Sequence, residues 1–181
     1  MSTPAAKRIM VYGTTGCGKS TLAARLAAAR NLPYHAIDDL TWEPNWTPVP
    51  LEHQRELIAD LVARDEWVID AGYGTWLDLV LPRVELIVSL DYPPPFIFFR
   101  LLRRTLLRVI DKKPICNGNR ENWRQMLSRD SILIWFFKSY KRKRTRMRAW
   151  AAESPGSVLL FSRPRDAAAW MLSSQPEDLN T

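Results

Sequence analysis

The chain has 181 residues, 46% of them hydrophobic and 25% charged, with a net charge of +7 at pH 7. This composition is typical of one globular domain with a substantial core, and it contains no apolar run of the roughly 18 residues that a membrane-spanning helix requires. Two cysteines are too few for a disulfide framework, and the N-terminus lacks the apolar core of a signal peptide. We therefore expect a single cytoplasmic domain over residues 1–181 that does not bind membranes.

Short apolar runs alternate with longer helical patterns along the chain. Strands are predicted where apolar residues cluster, namely at Arg8–Tyr12, Tyr34–Asp38, Trp67–Asp70, Glu85–Leu90 and Val158–Phe161. Helices are predicted at Lys19–Arg30, Leu51–Arg64, 94–110, 131–152 and 165–173. The remaining stretches are predicted to be a loop rich in proline and tryptophan at 41–50, an irregular stretch at 111–120 and a C-terminal tail at 174–181. Alternating strands and helices predict an α/β fold with a parallel sheet.

A phosphate-binding motif, G-x-x-x-x-G-K-[ST], occupies Gly13–Ser20 between the first predicted strand and helix. Its glycines permit close backbone approach to a phosphate, and the amides at the start of the helix attract anions. Lys19 is predicted to reach the β- and γ-phosphates and act in catalysis, while the Ser20 hydroxyl binds Mg²⁺. The alternative is a glycine turn with an incidental lysine. The predicted nucleotide-binding residues of this segment are Gly13, Thr14, Thr15, Gly16, Cys17, Gly18, Lys19, Ser20 and Thr21.

Together, the motif and the alternating elements predict the three-layer sandwich of P-loop NTPases. Its centre would be a five-stranded parallel sheet of the nucleoside- or nucleotide-kinase type, with helices on both faces. The predicted cofactors are ATP and Mg²⁺.

The segments after the motif resemble those of adenylate kinases. The strand Trp67–Asp70 followed by Ala71-Gly72-Tyr73 is similar to their third strand, which ends in Asp-Gly-Phe-Pro-Arg. Leu90-Asp91-Tyr92-Pro93, with two arginines downstream, is similar to their Asp-Val-Pro segment. The chain resembles more closely the small bacterial adenylate-kinase-like proteins of the DNA topology modulation, or FlaR-like, family. The shared features are Asp-x-Leu-x-Trp at 38–42, Trp-x-Ile-Asp at 67–70, Leu-Asp-Leu at 77–79 and a late helix rich in Trp and Arg.

The resemblance implies roles for individual residues. Asp70 would hold Mg²⁺ from the end of a core strand, with a capping carboxylate as the alternative. Arg100 would stack on adenine and Arg104 would face the phosphates, with an ordinary polar helix face as the alternative. Asp38 would bind or deprotonate the acceptor, as kinase carboxylates do. Its neighbour Asp39 is a substitute for that role, and a helix cap is the alternative for both.

Two departures from the adenylate-kinase pattern put AMP as the acceptor in doubt. Tyr73-Gly74-Thr75 stands where those enzymes have an arginine. The region after the second predicted strand offers Trp42 and Trp46 instead of basic residues, and Arg55 is the first basic residue beyond it. The two indoles are predicted either to sandwich a flat acceptor or to form a small core beneath the loop.

Basic residues are concentrated late in the chain, where residues 100–148 carry a formal charge of +13 and the rest of the chain −6. Such a segment faces solvent, phosphates or nucleic acid. Residues 111–130 are predicted to be a basic lid, with Asn117-Gly118-Asn119 as a flexible turn. In the following helix, Arg142 or Arg146 is predicted to reach the active site and act in catalysis. The lid arginines are Arg120, Arg124 and Arg129.

The sequence thus predicts an adenylate-kinase-like P-loop kinase that transfers the γ-phosphoryl group of Mg·ATP to a small-molecule or nucleotide acceptor. The alternative is a nucleic-acid-associated regulatory ATPase. Nucleic acid is therefore a possible partner, but it is less favoured than ATP and a small acceptor. The aromatic residues of the late helix have the spacing of a packed core, which favours the kinase. They are Trp135, Phe136, Phe137, Tyr140 and Trp150. Both a monomer and a homodimer remain open.

Overall fold

The structure is a computed structural model that describes residues 6–112, 114–128 and 131–173. Two of the predictions, for Arg129 and for the tail at 174–181, concern residues outside these ranges. The strands are β1 (Arg8–Gly13), β2 (Tyr34–His35), β3 (Trp42–Glu43), β4 (Thr47–Pro48), β5 (Trp67–Ala71), β6 (Leu86–Leu90) and β7 (Val158–Phe161). The helices are α1 (Lys19–Arg30), α2 (Ile37–Thr41), α3 (Leu51–Val62), α4 (Leu77–Val80), α5 (Pro94–Asp111), α6 (Trp123–Met126), α7 (Ile132–Glu153) and α8 (Pro164–Ser173).

Five strands form one parallel sheet in the order β2-β5-β1-β6-β7. The central strands β5, β1 and β6 are buried along almost their whole length because helices cover both faces. Along β1, Ile9 and Val11 pack on one face with α1, α5 and α8, whereas Met10 and Tyr12 pack on the other with α2, α3 and α4. This alternation follows from the two-residue period of a strand. The predicted α/β sandwich with a five-stranded parallel sheet is confirmed.

The longest predicted helices are confirmed closely. Helix α5 starts with the proline pair Pro94 and Pro95, which the first turn of a helix tolerates. Helix α7 is capped by the Ser131 side chain, which accepts a hydrogen bond from the Ile134 amide. Among the described residues, no helix combines the length and apolar character needed to cross a bilayer.

The region after β2 differs from the prediction. Strand β2 ends at His35, and Asp38 lies in the first turn of α2 instead of at a strand end. Two carboxylates in that turn favour the helix through its dipole. The predicted loop at 41–50 contains the short antiparallel pair of β3 and β4, joined by a 3₁₀ turn at Pro44–Trp46. Helix α4 was not predicted either.

The described part of the predicted lid is ordered around a tight turn. Ile115 and Asn119 pair across it, and Cys116, Asn117 and Gly118 all have positive φ angles. Asparagine and glycine tolerate this left-handed conformation better than most residues. Helix α6 follows, capped by the Asn122 side chain, which accepts a hydrogen bond from the Gln125 amide.

Candidate active site

The phosphate-binding motif forms the turn between β1 and α1. Gly16 and Gly18 have φ angles of 86° and 101°, which explains why both positions are glycine. Because Gly18 caps α1 and has no side chain, the first amides of the helix receive no side-chain acceptor. Thr14 is buried behind the turn, and its carbonyl accepts a hydrogen bond from Lys19 Nζ at 3.3 Å. Helix amides without a side-chain acceptor suit a phosphate.

Cys17 forms the rear wall of this turn. Its side chain is buried in the core, and its Sγ lies 2.7 Å from the position that a Cβ on Gly13 would occupy. Glycine is therefore required at position 13. Two other residues of the predicted set are less buried, since Thr15 is half-buried and Thr21 is exposed.

Ser20 and Asp70 form the predicted metal site. The Ser20 hydroxyl donates a hydrogen bond to Asp70 Oδ2, and Asp70 Oδ1 accepts one from the Ile37 amide at 3.0 Å. Burial raises the pKa of the Asp70 carboxyl, although these hydrogen bonds and the nearby Lys19 oppose the shift. A hydroxyl and a carboxylate beside a phosphate loop fit Mg²⁺, which takes one or two protein oxygens together with phosphates and water. In the described chain, no cluster of three acidic, His or Cys side chains forms a metal site by itself.

A second lysine, Lys143, joins Lys19 at this end of the sheet. Lys143 lies on α7 and is 4% exposed. Its Nζ lies 3.5 Å from the position of an added Cβ on Gly72, and Lys19 Nζ lies 3.6 Å from the same point. Burial and the Lys19 charge lower the pKa of Lys143 to about 7. Across the described residues, Lys143 Nζ has no hydrogen-bond or ion-pair partner.

The two arginines predicted to be catalytic lie in different environments. Arg146 is half-buried, donates to the Tyr12 hydroxyl at 3.3 Å and lies 3.2 Å from an added Cβ on Gly74. Arg142 is exposed to solvent. Helix α7 turns about 100° per residue, so its buried stripe contains Lys143 and turns Arg142 outward. The catalytic roles of both arginines stay predictions.

Two further basic residues of α7 fix the helix to the sheet. Asp91, directly after β6, is buried, and its two oxygens lie 2.9 Å from Arg144 Nε and 2.9 Å from Arg148 Nε. These ion pairs set the rotation of α7 and hence the position of Lys143. The other basic residues of the segment, Lys138 and Lys141, are exposed.

Asp38 belongs to a hydrogen-bonded chain with two aromatic residues. Tyr73 Oη donates to Asp38 Oδ1 at 2.8 Å and accepts from Trp42 Nε1 at 2.9 Å. Burial, followed by the Asp38 charge, raises the pKa of Tyr73, so the phenol keeps its proton. Asp38 also raises the pKa of Asp70 and opposes the lowered pKa of Lys143. The carboxylate therefore lies within electrostatic reach of the phosphate end of the site.

The predicted adenine side is built by α5. Arg100 is exposed, its Cζ lies 5.5 Å from the Phe96 ring centroid, and its Nη2 lies 3.2 Å from an added Cβ on Gly18. Arg104 is half-buried, and burial together with Arg108 lowers its pKa. A cavity of about 210 Å³ lies beside Arg100. Its other walls include Cys17, Thr21, Tyr92 and Pro164.

The lid turn lies on the segment from α2 to β4. Asn117 Nδ2 donates to the Asp39 and Trp42 carbonyls, each at 2.7 Å. Asn119 is 3% exposed and donates to the Glu43 carbonyl at 2.9 Å, while its Oδ1 accepts from the Trp46 amide at 2.7 Å. The lid turn thereby closes over the side of the site that carries Asp38.

Trp42 and Trp46 contact each other edge to face, with ring centroids 5.9 Å apart and planes at 77°. The sandwich of a flat acceptor between the two indoles is therefore wrong, because direct contact leaves no slot. Both rings are half-buried under the lid turn, as the alternative of a small core predicts. Trp46 Nε1 also donates to the Arg120 carbonyl at 3.2 Å.

Sequence reasoning missed two residues of this site. Lys143 lies in a run of basic residues, but it also falls on the buried stripe of α7 with Phe136, Ser139 and Met147. That helical spacing was the available signal. Tyr73 was noted only as a departure from a family pattern, and its pairing with Trp42 and Asp38 depends on three separate elements.

No protein-family model and no curated protein sequence matches the chain. Solved structures with a similar fold include a gluconokinase from Sinorhizobium meliloti 1021, at 16% identity with a TM-score of 0.55 over 97% of this chain and 95% of that one. A shikimate kinase from Bacteroides thetaiotaomicron aligns at 14% identity with a TM-score of 0.54, covering 94% of this chain and 97% of that one. A shikimate kinase from Acinetobacter baumannii in complex with shikimate aligns at 12% identity with a TM-score of 0.53, covering 92% and 89%. Identities this low show a shared P-loop kinase fold and nothing finer.

Proposed function

We propose that this protein is an ATP-dependent phosphotransferase that moves the γ-phosphoryl group of Mg·ATP to a small-molecule acceptor. The observation that carries the proposal is the convergence of Lys19 and Lys143 at Gly72, beside Ser20 and Asp70. Within the described residues, neither lysine forms an ion pair. Two neighbouring lysines without an ion-pair partner favour an anion between them, and a terminal phosphate beside the phosphate loop is the anion that fits.

The residues of the phosphate side take distinct roles. The loop amides hold the phosphates, and Arg100 borders the cavity in which adenine would lie, in the manner of an adenylate-kinase-like enzyme. The Ser20 hydroxyl and the Asp70 carboxylate would hold Mg²⁺, which neutralises charge on the β- and γ-phosphates when it is bound. Arg146 and Arg104 would balance the charge that develops on the transferred group.

Asp38 serves the acceptor in this proposal. Its Oδ1 is held by Tyr73, which leaves Oδ2 for an acceptor hydroxyl. As the acceptor oxygen bonds to the γ-phosphorus and the bond to ADP breaks, the hydroxyl proton passes to Asp38. A cytoplasmic location agrees with ATP as the substrate and with two unpaired cysteines. A place in the DNA topology modulation family rests on the shared sequence motifs.

Lys19→Ala tests the proposal directly. Removing the phosphate-loop lysine should lower ADP release at least about a thousandfold, since such contacts act on the transition-state charge, and should leave the circular dichroism spectrum unchanged. Lys141→Ala is the matched control, because Lys141 is exposed on α7 and should keep full activity. Normal turnover by Lys19→Ala, or no Mg·ATP binding by the wild type in calorimetry, contradicts the proposal.

One observation favours the second candidate function, a nucleic-acid-associated regulatory ATPase. Trp135 and Phe137 are 42% and 65% exposed, so the interpretation of all the α7 aromatics as core is wrong for these two. Both precede the exposed Lys138 on α7, and bases stack on such aromatic and basic surfaces. Titration of single-stranded and duplex DNA against salt separates the candidates. Absence of binding at low salt, where phosphate contacts are strongest, removes the regulator, whereas the regulator requires binding that Trp135→Ala weakens.

A further inference from the structure

A cavity of about 440 Å³ opens on the acceptor side, between the β3–β4 hairpin and the start of α3. Its volume lies in the range of small-molecule sites. The main walls are Trp42, Pro48, Val49, Leu51, Gln54 and Tyr73.

The walls of this cavity carry no charge. In the described part of the chain, none of the side chains that line it is acidic or basic. Arg55, one residue after Gln54, is already engaged: it donates to Asp78 Oδ2 at 2.6 Å, to Asp78 Oδ1 at 3.1 Å and to the Thr75 carbonyl at 2.8 Å. A phosphate or carboxylate in this cavity would lose its hydration without gaining a cation, which costs several kcal/mol.

The cavity is connected to the proposed chemistry through two of its walls. Trp42 and Tyr73 line it, and the Tyr73 hydroxyl bonds to Asp38. Tyr73 also follows directly after Gly72, where Lys19 and Lys143 meet. A ligand body held against these rings would therefore lie one side chain away from Asp38 and close to the γ-phosphate.

We propose that this cavity binds the acceptor and that the acceptor is an uncharged alcohol with an apolar, ring-sized body, not a phosphorylated or carboxylated compound. This inference rests on the proposed phosphotransferase function. The aromatic and proline walls hold the apolar body, and its hydroxyl points to Asp38. The acceptor oxygen then takes the γ-phosphoryl group from ATP, ADP leaves, and Asp38 receives the hydroxyl proton.

Matched pairs of alcohols test this inference. Phenylethanol and thymidine are the neutral members; hydroxyethylbenzoate and thymidine 3′-monophosphate are the same bodies with a negative charge and the same free primary hydroxyl. Binding is measured by saturation-transfer NMR with Mg·ADP present, and ester formation by phosphorus NMR with Mg·ATP. We expect the neutral members to be favoured by at least about tenfold, the effect of one uncompensated charge. Preference for the charged members, or no binding of either neutral member, overturns the inference.

Variants of Leu51 place the ligand in the cavity. Leu51 lines the cavity and is 51% exposed, so substitutions there should not unfold the protein. Leu51→Trp should lower kcat/KM for the neutral alcohol about tenfold by filling the space. Leu51→Arg should raise the relative use of hydroxyethylbenzoate about fivefold, because it supplies the missing cation. The controls are Glu52→Trp and Glu52→Arg, at the neighbouring exposed position outside the cavity, and they should change neither value.

Failure of this inference is distinguishable from failure of the proposed function. A protein that does not bind Mg·ATP fails the proposed function, whatever the alcohols do. If the protein binds Mg·ATP and phosphorylates charged alcohols in a reaction that Lys19→Ala abolishes, the proposed function stands. Only the proposed class of acceptor is then overturned. Equal effects of the Leu51 and Glu52 substitutions also overturn the assignment of the cavity.

Discussion

The two halves of the candidate site differ in how far their polar groups are already satisfied. On the phosphate side, Lys143 is buried next to Lys19, and neither lysine forms an ion pair with a described residue, although Asp70 and Asp38 lie within electrostatic reach. On the acceptor side, the Trp42–Tyr73–Asp38 chain bonds internally, and the lid turn closes over it with the side chains of Asn117 and Asn119. One half is therefore incomplete without a charged ligand, and the other half is nearly complete by itself.

This difference indicates where binding energy and selectivity arise. An anion at the phosphate side relieves the repulsion between the two lysines, so it should bind strongly. Its binding should also raise the pKa of Lys143, so that the protein takes up a proton. A ligand at the acceptor side gains mainly from apolar contact, because most local hydrogen bonds are already formed. Substitutions in one half of the site test whether ATP binding and acceptor binding depend on separate residues.

On the acceptor side, the largest effect is expected for Asp38→Asn. Loss of the proton acceptor should lower kcat about a thousandfold, within the usual range for general base catalysis, while the affinity for Mg·ATP stays the same. Steady-state kinetics with the acceptor and calorimetry with Mg·ATP measure the two effects. Asp39→Asn is the matched control, since Asp39 is equally exposed in α2. An equal loss for both variants would mean that the carboxylates act on the helix and not on the proton.

Lys143→Met should act on the other half. It should weaken Mg·ATP binding about thirtyfold, because a contact to a charged group contributes about 2 kcal/mol, and should leave the affinity for the acceptor unchanged. Isothermal titration calorimetry in two buffers of different ionisation enthalpy also shows whether ATP binding takes up a proton. Lys141→Met, on the exposed face of the same helix, should behave as wild type. Unchanged ATP affinity in Lys143→Met would remove Lys143 from the phosphate side.

Asn119→Ala should loosen the acceptor half alone. Asn119 is buried and bonds to Trp46, Glu43 and Cys116, so its loss should cost about 1–2 kcal/mol of unfolding free energy. The KM for the acceptor should rise, whereas the Kd for Mg·ATP should not change. Urea unfolding and kinetics measure these values. Arg124→Ala, an exposed change in the neighbouring α6, provides the control, and a raised ATP Kd in Asn119→Ala would contradict the division.

The pH dependence of the stability tests the phosphate half once more. Lys143 has a pKa of about 7 in the folded protein and near 10.5 when unfolded. Between these values the unfolded chain holds the extra proton, so the free energy of unfolding should rise with pH by about 1 kcal/mol per unit. Urea titrations across this window, without nucleotide, should show the rise in wild type. Lys143→Met should flatten it, and a parallel rise in the variant would exclude Lys143 as the cause.

The features that were predictable from sequence are local. The phosphate loop needs three glycines, a lysine and a serine within eight consecutive positions. It can therefore be recognised without information on the rest of the chain. The strands of the main sheet are also local features, because each was predicted from a short run of neighbouring residues. Four of the five begin and end within one residue of their predicted bounds.

The missed features depend on distant contacts. Strand β2 ends early because the Ile37 amide bonds to Asp70, 33 residues away, which fixes the start of α2. Lys143 reaches the site because it lies on the buried stripe of α7, which also pairs with Asp91 through Arg144 and Arg148. The lid turn lies on the acceptor side because Asn117 and Asn119 find carbonyl partners more than 70 residues away. Periodicity within one segment carries no information on such pairings.

The clamp between Asp91 and the two arginines of α7 also constrains how the chain can change in length. One inserted residue between Lys143 and Arg144 would turn the amine about 100° around the helix axis, away from Gly72. One inserted between Gly118 and Asn122, ahead of α7 in the chain, would leave that orientation intact. Homologous chains should therefore vary in length before α7 and keep an unbroken count from Lys143 to Arg148.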